Sequence, residues 1–108
     1  MLELNGTDTD TGAEDLIKDA SEQTFVQDVV EMSQNIPVIV DFWAPWCGPC
    51  KTLGPALEAA VKSAGGSVKM VKVDIDQNQS IATQLQIQSV PTVYAFWKGQ
   101  PVDGFQGA

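Results

Sequence analysis

Cys47 and Cys50 are the only thiols in the chain, and they enclose a Gly-Pro pair in the run Trp46-Cys47-Gly48-Pro49-Cys50. With two residues between them, one sulfur can attack a disulfide while the other stays within reach to resolve the mixed intermediate. The run follows an apolar stretch, Val38 to Trp43, and precedes a helical pattern, so it lies where a strand gives way to a helix. A helix start presents unpaired N–H groups and a partial positive charge, and both stabilise a thiolate. That position predicts Cys47 open to solvent beside Trp46, with Cys50 one turn inward. Gly48 allows close approach by a substrate backbone, and Pro49 suits a first helical turn, where no N–H is needed. The competing use of such a pair is half a zinc site. Zinc takes four ligands, and a chain with two thiols and no histidine has only carboxylates for the rest, so no metal site is expected.

What is missing narrows the chemistry further. Without histidine or arginine there is no imidazole base, no Ser-His-Asp triad and no guanidinium fork for phosphate. A formal charge of −8 argues against a nucleic-acid partner, which needs a basic footprint. The charge is uneven: nine acids and a single lysine fall between Met1 and Asn35, whereas the remainder carries five of each sign. Met1 to Thr7 shows neither a basic region nor an apolar run of the secretory type, and no stretch approaches the roughly eighteen apolar residues of a membrane span. A cytoplasmic location away from membranes is the expectation, and paired cysteines there read as redox chemistry rather than as a staple.

Positioning these thiols takes a sheet. Residues 1–15, with alternating Thr and Asp from Thr7 to Thr11, show no apolar period and read as an acidic, flexible leader. Leu16 to Ala20 is a short strand candidate. Ser21 is placed to cap a helix carrying Phe25, Val29 and Met32 on one face, stopped by Pro37. Val38 to Trp43 is apolar on both faces apart from Asp41, as in the middle of a covered sheet. A helix from about Cys50 to Ala64 carries the stripe Leu53, Leu57, Ala60, Val61 and Ala64, with Pro55 inside it and Gly65-Gly66 at its end. Val68 to Asp74 alternates as a strand and Ser80 to Gln86 reads as a short helix. Thr92 to Trp97, the turn Lys98-Gly99 and a returning strand from Pro101 complete a βαβαβαββ order. Such units give a parallel half-sheet, with antiparallel strands added by the last hairpin. Asp41 shares a face with Ile39 and Trp43; it is either solvated at an edge or a buried charge with a task. Lys72, on an alternating strand, has the solvated reading beside any functional one.

The run from Val40 to Lys51, Val-Asp-Phe-Trp-Ala-Pro-Trp-Cys-Gly-Pro-Cys-Lys, resembles the active-site signature of the thioredoxin family. The likeness continues through Val71 to Asp76, Val90-Pro91-Thr92 and Gly99, and covers Leu16 to Ala108. It implies an α/β thioredoxin fold, a central mixed five-stranded sheet flanked by helices, and a protein-disulfide reductase that needs no bound cofactor. By the same resemblance Cys47 is the nucleophile and Cys50 the resolving thiol. Asp41 matches a buried carboxylate beneath them, and Lys72 the lysine near it. Pro91 matches a cis-proline facing the disulfide, Val90 offers backbone hydrogen bonds to substrate, Trp46 is an exposed ring beside the nucleophile, and Gly107 belongs to the docking surface.

The implied partners are disulfide-containing proteins and an NADPH-dependent thioredoxin reductase. The family's fold closes with a helix after the strand that ends near Gly107, and the sequence in hand stops at Ala108. Residues 16–108 therefore read as a thioredoxin-like domain cut before its last helix, with a partly bare sheet face and dimerisation through it expected. Gly99 to Gly107 also resembles the terminal hairpin of the thioredoxin-like domain in the bacterial co-chaperone family called YbbN or CnoX, where helical repeats follow. That gives an alternative: a redox domain serving mainly as a client- or partner-binding module.

Overall fold

Pro37 cannot continue a helix, and the β-branched run behind it becomes strand β2 (Val38–Trp43), the centre of the sheet. Around it stand β1 (Ile17–Asp19), β3 (Lys69–Asp74), β4 (Thr92–Trp97) and β5 (Gln100–Gln106). The computed structural model describes residues 16–107; the expected leader over residues 1–15 lies outside the described residues. The strand order is β1-β3-β2-β4-β5, parallel from β1 to β2 and antiparallel from β2 to β5. This is the mixed five-stranded sheet that the sequence predicts.

Alternation along β2 sorts the two faces. Val38, Val40 and Phe42 point into the larger core with Val71, Val73 and Phe96. That side is covered by α1, a π-helix over Val26–Glu31 running into a 3₁₀ turn over Met32–Gln34, and by α3 (Gln79–Gln84). Val29 is fully buried there, with Phe25 and Met32 packed beside it, as their spacing predicts. Ser21 does not cap α1. Its amide donates to Thr24 Oγ1 at 2.9 Å in a preceding turn, and the helix starts after Phe25 with no side-chain cap. The left-handed Gln86 (φ 59°) lies beyond α3, which is shorter than its sequence pattern suggests.

On the opposite face, among the described residues, lies α2 (Gly48–Ser63) alone. Its predicted stripe is only partly covered: Val61 is buried, Leu53 and Leu57 are half-buried, and Ala60 and Ala64 are exposed. The cause is the neighbouring surface. Ile39, Leu57, Val61, Val93, Ala95 and Phe105 line an open groove of about 340 Å³, and every residue of β5 is exposed. The bare face expected near the terminal hairpin is therefore present among the described residues. Lys98 and Gly99 both adopt left-handed φ (57° and 82°), which matches the twist of a two-residue hairpin turn. Their amides reach the buried Ser33, Lys98 N–H donating to its carbonyl at 2.8 Å and Gly99 N–H to its Oγ at 2.9 Å.

Candidate functional site

The carboxyl end of β2 delivers Ala44-Pro45-Trp46 into a turn from which α2 starts, so the thiols sit at the junction of sheet centre and helix start. Cys47 is the N-cap of α2, in extended conformation (φ −87°, ψ 108°), and its Sγ accepts the Cys50 amide at 3.2 Å. The two cysteines are joined as a disulfide with Cα atoms 5.4 Å apart. In the reduced protein the same amide and the helix dipole favour negative charge on Cys47. One expectation needs correction. Cys47 is not open to solvent: it is 3% exposed and Cys50 5%. Ala44, Trp43, Ile75 and Val90 pack around the pair, and the rim presents Trp46, Gly48 and Pro49 to solvent instead.

Trp46 is 67% exposed, and its Nε1–H donates to Asp76 Oδ2 at 3.1 Å, so the ring is held rather than free. Asp76, two residues beyond β3, thereby holds the Trp46 ring. Its own amide donates to Asp74 Oδ1 at 2.9 Å, which braces the loop.

The Val90–Pro91 peptide bond is cis, as the resemblance implies. Val90 packs against the disulfide cluster, and the Gly107 amide donates to the Pro91 carbonyl at 2.8 Å. Gly107 takes φ 82°, a conformation that favours glycine. Val90, Pro91 and Gly107 thus stand together, and Val90 links them to the cysteines. An extended substrate strand can approach sulfur and backbone on one surface.

Asp41 is 1% exposed, and its Oδ1 has no hydrogen-bond partner among the described residues. It lines a cavity of about 240 Å³ together with Cys50, Gly54, Glu58 and Lys72. A Cβ on Gly54 would lie 3.7 Å from Asp41 Oδ2, so the helix backbone passes directly over the carboxylate. Burial pushes the Asp41 carboxyl up to about 6, with Lys72 lowering it and Glu58 raising it by smaller amounts. The solvated alternative for Asp41 is excluded.

Lys72 faces Asp41 in the β2–β3 register, but its Nζ pairs with Glu58 Oε2 at 3.1 Å and lies 5.6 Å from the centre of the Trp43 ring. Glu58 is the residue that sequence reading misses. The signal is there: Cys50, Gly54 and Glu58 recur every four residues, on one side of α2. No cluster of three or more potential metal ligands occurs among the described residues.

The thioredoxin family profile matches residues 16–108. Thioredoxin 1 of Synechococcus elongatus is 48% identical over 88 residues, covering 82% of this chain and 80% of the relative. The thioredoxin of Mycobacterium tuberculosis is 42% identical over 102 residues, covering 94% and 84%. Among solved structures, the crystal structure of Malassezia sympodialis thioredoxin matches with a TM-score of 0.74 at 38% identity, over 85% of this chain and 78% of that one. These similarities do not favour the co-chaperone alternative.

Proposed function

The chain belongs to the thioredoxin family and is a thiol–disulfide oxidoreductase acting on protein disulfides, and on that premise we propose how its residues divide the work. Cys47 thiolate attacks one sulfur of a substrate disulfide. The substrate S–S bond breaks, a mixed disulfide forms on Cys47, and the first substrate thiolate leaves. Cys50 then loses its proton to Asp41 and attacks Cys47 Sγ, which releases the second substrate thiolate and leaves Cys47–Cys50 oxidised. Two electrons pass from the dithiol to the substrate. Lys72 steadies charge at Asp41. Trp46, Gly48 and Pro49 form the landing rim, and Val90, Pro91 and Gly107 align the substrate backbone.

The observation that carries this reading is the cavity that joins Cys50 to the buried Asp41 carboxylate, which burial pushes up to about 6. The test is rapid alkylation of the reduced protein followed by peptide mapping. Cys47 should react at least about tenfold faster than Cys50 near neutral pH, since only its sulfur caps the helix. Equal rates would sink the division of roles.

The dithiol is regenerated by an NADPH-dependent thioredoxin reductase, which passes two electrons to the Cys47–Cys50 disulfide, and the protein works in the cytoplasm, where a pool of reductant supports repeated turnover. No helix among the described residues is long and apolar enough to cross a membrane.

A second copy of this chain pairs with the open sheet edge beside the groove. The outer edge of β5 pairs with no strand among the described residues, and Val102 and Phe105 are 62% and 47% exposed. Antiparallel pairing of two β5 edges continues the sheet and sets the two grooves side by side. Sedimentation equilibrium should show concentration-dependent dimers that Phe105→Asp weakens about tenfold or more. A monomer at every concentration up to the millimolar range would refute the dimer.

A further inference from the structure

The charges around Asp41 are not arranged as a simple carboxylate–lysine pair. Lys72 is its register partner, yet the only ion pair that Lys72 makes among the described residues is with Glu58, at 3.1 Å. The two partners are 29% and 28% exposed, against 1% for Asp41, so they stand on the solvent side of the cavity whose interior Asp41 and Cys50 share. One row of α2 carries Cys50, the close approach at Gly54, and Glu58.

We propose that Glu58 is a positioning residue for proton transfer at Cys50: it holds the Lys72 ammonium at the cavity mouth and keeps that charge from closing on the Asp41 carboxylate. Freed from Glu58, the ammonium has one other acid beside it in this cavity, Asp41. An ion pair there stabilises the carboxylate and weakens it as a proton acceptor. The negative charge of Glu58 acts on Asp41 in the same sense as its hold on Lys72. The other groups around Asp41 do not substitute for it. From α2 come Lys51 and, when reduced, Cys50; from β4 the register partner is the uncharged Val93. Asp19 and Asp74 line a neighbouring hollow that shares Trp43 and Lys72 but not Asp41.

The inference rests on the reading of Asp41 as the proton acceptor, so the experiment separates the two. Carboxyl-carbon NMR titration of the reduced protein follows Asp41 directly, and single-turnover reduction of a protein disulfide gives the acid limb of the pH profile. Glu58→Gln should lower the Asp41 midpoint by about half to one pH unit and move the acid limb of the pH profile down by the same amount. In a Lys72→Met background the same change should shift the midpoint by less than about half as much, because no ammonium is left to reposition. An unmoved midpoint in Glu58→Gln, or equal shifts in both backgrounds, overturns the proposal. A midpoint that moves while the acid limb stays put upholds the Glu58–Lys72 device and overturns the acceptor role of Asp41.

Discussion

Cys47→Ser reduces insulin disulfide cleavage by at least about a thousandfold, because no other thiol stands at the helix start to make the first attack. Cys50→Ser gives an equally complete loss of turnover by a different route. Its Cys47 still attacks, but nothing resolves the product, so the variant accumulates a mixed disulfide with substrate that mass spectrometry reads directly. The two variants therefore look alike in a steady-state assay and opposite in a trapping assay. This contrast follows from electrostatics rather than from access. Exposure differs little between the two cysteines, 3% against 5%, whereas only the Cys47 sulfur accepts the Cys50 amide at the amino end of α2. Substrate trapping by Cys47→Ser instead of Cys50→Ser would reverse the assignment.

The parts of this site carried by local pattern are legible in the sequence. The thiols, the strand before them and the helix after them follow from spacing and from the apolar run. Asp41 stands out as the one charge in β2. What the pattern does not reveal is how side chains from different elements choose partners. Lys72 lies opposite Asp41 in the register, yet α2 crosses the sheet so as to bring Glu58 within reach, and the longer lysine pairs with the more solvated acid. A pair in which both charges keep part of their hydration costs less than one that draws an ammonium into a dry pocket. The solvent exposure expected of Cys47 fails for a related reason. A helix start belongs to surface grammar, but Ala44, Trp43, Ile75 and Val90 come from three separate stretches and close over the sulfurs. The groove on the α2 face, by contrast, is foreseen by alternation in β4, since Val93 and Ala95 face away from Tyr94 and Phe96.

Asp41→Asn makes the protein more stable and slower at once. The carboxyl titrates near 6 in the folded protein, against 3.8 for an ordinary aspartate, because ionising it beneath the helix costs hydration. Below pH 3.8 the group is protonated in both folded and unfolded chains, and its ionisation does not affect folding. As pH rises from there to 6, the unfolded chain releases the proton more readily, so folding loses stability; above 6 the loss is complete and constant. Two pH units correspond to about 3 kcal/mol, so the variant should exceed the parent by about 2–3 kcal/mol in denaturant melts at pH 8 relative to the difference at pH 4. A stability gap that does not widen between those two pH values would show that Asp41 ionises without cost. Catalysis responds oppositely. Between the Asp41 midpoint and the ordinary cysteine value of about 8.5, the parent has a carboxylate ready and a Cys50 that still needs to lose its proton. There Asp41→Asn should slow single-turnover reduction about tenfold or more, with the curves converging at pH 9, where thiolate forms unaided. A stability gain at pH 8 together with a rate loss that disappears at pH 9 would mark Asp41 as a buried charge that weakens the fold and serves the resolving thiol.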